Sequence, residues 1–220
     1  MNFDKAPRAR GALFTSPGSM HLSADPAGSA NLGNVQSPAV SPKFGTEGKF
    51  TVFSDNRLIG VFDNGPDGGN TWMDVTFFDP ANNNKRATSH GFGTIFTGNT
   101  IAGLTKLEYF DYWDRLIFSL DAPPCDRNAQ LSFAGAKFAK ADVARVRIHA
   151  GNLGANKCDS ETADKDCVAM DDFVYGEPIP LSVSGIGKEP EETTGTVVVQ
   201  PMGSISIGAG GVLSVGAPAA

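Results

Sequence analysis

The chain has 220 residues and a mass of 23.0 kDa, room for one domain of ordinary size with a short appendage. Its 26 glycines and 14 prolines exceed the roughly 12% that an average chain devotes to them. Charged residues at 19% and hydrophobic residues at 40% exclude both a disordered acidic tail and a charge-laced helical bundle. The net charge is −6 and no stretch gathers Lys and Arg, which speaks against nucleic acid and anionic membrane as partners; no apolar run approaches the ~20 residues of a membrane span.

In chain order, Met1-Asn2-Phe3-Asp4-Lys5 has no apolar signal region, and the reading is a secreted chain whose signal peptide has been removed. Residues 12–46, rich in Ser, Pro, Gly and Ala, read as long surface loops with at most one short strand. Residues 49–53 and 58–62 are short apolar runs separated by Asp55-Asn56, the pattern of a hairpin. From Trp72 to Phe78 the sequence alternates, with Met73, Val75 and Phe77 on one face and Asp74 and Thr76 on the other. The polar stretch from Pro80 to Ser89 breaks that run.

Further strands are expected at 91–96, 105–110, 116–120 and 131–133. At 143–148, Val143, Arg145 and Arg147 oppose Ala144, Val146 and Ile148, and a last strand is expected at 167–175. Strands every 10–15 residues with no amphipathic helix between them define an all-β chain, an antiparallel β-sandwich, over residues 1–178. A solvated linker is read at 179–194. Residues 195–220 hold three Gly-punctuated Val/Ile/Ser segments, a strand-forming tail too small to enclose a core. Such a tail pairs either with its own domain or, as this reading favours, with a neighbouring chain by strand addition.

Three cysteines are present. Cys158 and Cys167 bracket a short polar loop and match no zinc spacing; a disulfide between them implies an oxidising compartment. Cys125 is the odd one, free or paired between chains.

Asn2-Phe3-Asp4 at one end and Ala169-Met170-Asp171-Asp172-Phe173-Val174-Tyr175-Gly176 at the other resemble the opening and closing strands of secreted bacterial jelly-roll modules. Such modules are found among surface proteins of the PEP-CTERM kind. The segments 91–96, 105–111, 131–135 and 143–148 are similar to them as well, so the resemblance spans about residues 2–178. It implies a galactose-binding-like sandwich, the fold of many carbohydrate-binding modules, and is specific for the module type rather than for an activity. The loop cysteines and Cys125 depart from the pattern.

Nothing in the sequence points to catalysis. His21, His90 and His149 stand in unrelated contexts, and neither a G-x-S-x-G elbow nor an H-E-x-x-H helix occurs. Calcium, which takes six to eight oxygen ligands on Gly-rich loops, has three candidate places. One is the loop 63–70 with Asp63 and Asp67, equally readable as a plain turn system. The second is the loop 159–166, and the third is the terminal pair of Asp4 with Asp171 or Asp172. The resemblance favours the last, since galactose-binding-like sandwiches often hold a structural calcium between first and last strands. Sugar binding needs exposed aromatic rings beside polar groups, and Trp72, Tyr109, Tyr112 and Trp113 are the candidates. The alternative is that alternate aromatics serve the core and the others cap a hairpin turn. The expected function is a non-catalytic extracellular structural or assembly protein, a surface or filament subunit that self-associates through its C-terminal tail. The alternative is a calcium-stabilised carbohydrate-binding module.

Overall fold

In a computed structural model, residues 10–16, 22–23, 58–61, 71–126, 130–155, 157–158, 161–181, 195–200, 205–207 and 213–215 are described. The strands are β1 (Ala12–Thr15), β2 (Leu22–Ser23), β3 (Ile59–Val61), β4 (Trp72–Asp79) and β5 (Asn82–Thr88). They continue with β6 (Gly91–Thr97), β7 (Lys106–Phe110), β8 (Leu116–Asp121), β9 (Leu131–Phe138) and β10 (Arg145–His149). The last are β11 (Ala169–Tyr175), β12 (Ile179–Pro180), β13 (Gly195–Gln200), β14 (Ile205–Ile207) and β15 (Leu213–Val215). Two antiparallel sheets form the sandwich. The first runs β12-β5-β4-β10-β7-β8, with β1 also on β4, and the second runs β13-β9-β6-β11-β3-β2.

Period-two alternation decides which face of each strand is buried. In β4, Met73, Val75 and Phe77 are buried while Trp72, Asp74 and Thr76 are half-buried. Leu107 and Tyr109 of β7, and Val146 and Ile148 of β10, turn the same way. The second sheet answers with Phe92 and Phe96 of β6, Ala134, Ala136 and Phe138 of β9, and Met170 of β11, and these form one hydrophobic cluster. Tyr109 ties the layers together. Its ring meets Phe138 edge-on at 5.5 Å, and its hydroxyl donates to the Phe92 carbonyl at 2.8 Å. Burial pushes that phenol well above its ordinary range, as expected for a proton held in an apolar layer.

The all-β sandwich is therefore as the sequence indicates, with local differences. The stretch after Pro80 contains β5, which pairs with β4 and β12; Ala87 and Thr88 of this polar strand are buried while Asn82, Lys85 and Arg86 are exposed, so neighbouring backbone, and not an apolar pattern, makes it a strand. The N-terminal loop region holds two short strands, β1 and β2. Strand β9 continues to Phe138, five residues past the expected end. In β11 the register shifts between Asp171 and Phe173, a bulge at Asp172. Strand β12 lies within the segment read as linker. The first tail strand, β13, pairs with β9 of its own chain, not with the neighbour that the sequence reading favours: β9 offers it an open edge. Strands β14 and β15 pair with each other and, among the described residues, with no other strand. The run 49–53 and its turn at 55–56 lie outside the described residues.

Candidate functional site

The outward faces of the two sheets differ in kind. On the first sheet, cross-strand register sets Asp74 beside Arg147, and Arg147 beside Glu108. Arg147 donates from Nε and Nη2 to the two carboxylate oxygens of Asp74 at 2.8 and 3.0 Å. Arg145 bridges Asp74 at 3.0 Å and Asp114 at 2.6 Å. Lys106 Nζ donates to Glu108 at 2.8 Å, and His149 Nε2 lies 3.0 Å from its other oxygen. Burial acts to raise the Glu108 carboxyl, but the hydrogen bonds from Lys106 and His149 outweigh it and hold the group below its ordinary value. The hydrogen bond to Asp74 raises the Arg147 guanidinium. The charges on this face are thus matched to one another.

Of the aromatic candidates, Trp72 is taken up in the same network. The Arg147 guanidinium carbon sits 3.8 Å from the centre of the Trp72 ring, and that of Arg145 sits 3.8 Å from Phe110, so those ring faces are already covered by cations. Tyr109 is a correction: it is buried in the core, because its alternation with Leu107 turns both inward, and it cannot stack on a sugar. Tyr112 and Trp113 sit in the turn between β7 and β8. Buried Asp111 organises that turn, accepting from the Trp113 and Arg115 amides and from Arg115 Nε, each at 2.9 Å. Asp114, with φ 64°, is in the left-handed region and is anchored by Arg145. Trp113 is 44% exposed, edge-to-face with Tyr112 at 5.8 Å, while Arg115 and Arg86 lie 5.3 Å from the Trp113 and Tyr112 rings.

Of the calcium candidates, Asp171 is buried and Asp172 exposed. Asp171 Oδ1 accepts the Asp172 amide at 2.8 Å, and its carbonyl accepts the Thr94 hydroxyl at 2.9 Å. Asp4, Asp63 and Asp67 lie outside the described residues. Among the described residues, no group of three or more His, Cys, Asp or Glu side chains is placed to hold a metal.

Cys158 and Cys167 are disulfide-bonded, with Cα atoms 5.3 Å apart. Beside them, fully buried Asp166 accepts from the Thr100 and Ile101 amides at 2.8 and 3.0 Å and from the Thr100 hydroxyl at 3.1 Å. The disulfide loop is thereby fastened to the turn after β6. Cys125 is buried and unbonded; its thiol donates to Asn99 Oδ1 at 3.2 Å, and burial above all pushes it up to about 11.

The second sheet's outward face is of another character. A trough of about 430 Å³ lies across β9, β6 and β11, and its surface is mostly apolar. Gly91, Gly93 and Gly135 form its floor, Phe133, Val174 and Tyr175 line it, and His90 and Lys137 add polar groups. Val174 is 60% exposed. Gly91 is a structural requirement, since a Cβ there would collide with the Ala136 carbonyl oxygen, and one on Gly93 would lie 2.6 Å from Phe133 Cζ, so that the ring would have to move. Sequence reasoning missed this surface, although Gly-x-Gly in one strand and Phe-x-Gly in its partner signal a close approach over the sheet.

No protein-family model matches the chain, and neither does a curated protein. Among solved structures, the enzymatically active domain of tailspike protein 4 of bacteriophage CBA120 is similar at 11% identity and a TM-score of 0.34. The match covers 76% of this chain and 19% of that one.

Proposed function

We propose that this protein is a non-catalytic structural subunit of an extracellular assembly, a secreted jelly-roll module that meets its neighbour through the trough on its second sheet. The contrast between the two faces is the observation that carries the reading. On the first, Asp74 and Glu108 are already engaged by Arg145, Arg147, Lys106 and His149; on the second, an apolar trough leaves Val174 largely exposed. A concave, mostly apolar surface with a few polar groups beside it is the usual form of a binding site. The bonded Cys158–Cys167 pair suits an oxidising compartment. A thiol introduced by Val174→Cys tests the reading. Buried Cys125, with its raised pKa, reacts slowly and adds little background. Labelling at position 174 should slow as protein concentration rises; a rate independent of concentration would overturn the reading.

A second reading, glycan binding at the turn between β7 and β8, is favoured by the exposure of Trp113 on a turn fixed by Asp111. Trp113→Ala should abolish retention on immobilised polysaccharides without lowering the unfolding midpoint. Equal retention of the two proteins would dismiss it.

A further inference from the structure

We infer that the occupant of the trough is the β14–β15 hairpin of a second copy of this chain, an inference that rests on the assembly reading. Ile205 faces Val215, Ser206 faces Ser214 and Ile207 faces Leu213 across the hairpin ladder. Four aliphatic residues therefore fall at one set of alternate positions and two serines at the other. A two-stranded ribbon of this length is marginal in water without a surface to cover its apolar side, and it belongs to neither sheet of the sandwich. The trough is the complementary surface: apolar, floored by glycine, and open at Val174.

The covalent path disfavours the chain's own hairpin. Strand β13 ends at Gln200, opposite Phe133, at the edge of the sheet that bears the trough. Reaching the middle of the trough on β6 means crossing two strand spacings and rising one layer, together ~14 Å. The connection of residues 201–204 spans at most ~17 Å when fully extended, which leaves no slack for the reversal that would turn the hairpin onto the sheet. A hairpin from another copy has no such tether. Tail-to-trough contact joins two different surfaces, so it closes a two-fold dimer where two copies exchange hairpins and otherwise propagates into rings or open chains.

The test uses two full-length chains, one carrying Val174→Cys and one, isotopically heavy, carrying Leu213→Cys, mixed and oxidised. A light–heavy disulfide joining positions 174 and 213 should form at least tenfold faster than in a control mixture where Leu116→Cys, on the first sheet, replaces Val174→Cys. A rate equal to the control overturns the inference, as does a chain bearing both changes that closes on itself in dilute solution. Full-length Ile207→Asp, Leu213→Asp separates the two levels of the account. If it still assembles while Val174→Glu does not, the trough is a contact and the hairpin is not its occupant. If the unaltered chain never assembles, the assembly reading falls as well.

Discussion

Gly93 and Gly135 face each other across β6 and β9, and the ring of Phe133, two residues before Gly135, lies over both. Its Cζ would be 2.6 Å from a Cβ on Gly93 and 2.8 Å from one on Gly135. Glycine weakens a strand by leaving nothing to pack. Here the missing side chains lower the sheet surface, and one aromatic ring fills part of the space. The rest is the trough.

Gly135→Ala should therefore cost about 1–3 kcal/mol of unfolding free energy, the usual penalty of overpacking a filled site, because its Cβ meets both the Phe133 ring and the Gly93 Cα at 3.0 Å. Phe133→Ala in the same chain should recover much of that loss, giving a coupling outside the few tenths expected of independent sites. Urea denaturation of the four chains measures it; strictly additive losses would refute the ring–glycine relationship.

The pairing of Asp74 with Arg145 and Arg147, with side chains 14%, 13% and 29% exposed, should make Asp74→Ala costly. Two guanidiniums lose charge-assisted bonds at about 1.5–3 kcal/mol each, so a loss of several kcal/mol is expected. A change under about 0.5 kcal/mol, typical of an exposed ion pair, would show that the network is only surface decoration.

Glu108 gives stability a pH dependence of known sign. Its folded pKa lies below the ordinary 4.5, so the group binds fewer protons folded than unfolded. Its contribution is present above the unfolded value and lost as pH falls through the folded one. Glu108→Gln should flatten the decline in stability between neutral and acidic pH relative to the unaltered chain. Parallel pH profiles would contradict the assignment of Lys106 and His149 as its partners.

The Cys158–Cys167 bond closes a polar loop with little apolar area to order it. In the chain-entropy account a loop of this length is worth about 2–3 kcal/mol, and Cys158→Ser, Cys167→Ser should lose that much. Alkylation of denatured, unreduced protein followed by intact mass should find one labelled thiol, from Cys125; two or more would refute the bond.

Much of the architecture was legible in the residues. Alternation placed Met73, Val75 and Phe77 inward, and the same rule, applied to Leu107 and Tyr109, would have assigned Tyr109 to the core rather than to a sugar platform. The disulfide was legible from the polar loop between its cysteines. Strand β5 was not, because Asn, Lys and Arg give no apolar pattern and its pairing is fixed by β4 and β12. Nor was the masking of Trp72 and Phe110 by arginines two strand positions apart on β10, which depends on cross-strand register that a single sequence does not show. The trough left only a pair of glycine spacings as its trace.

The central claim, assembly through the second sheet, is tested most directly by light scattering over a wide concentration range on the full chain and on full-length Val174→Glu. The unaltered chain should rise from a mass near 23.0 kDa to multiples of it, while Val174→Glu stays at the monomer mass with an unchanged unfolding midpoint. A single monomer mass for both chains at the highest concentrations would contradict the account.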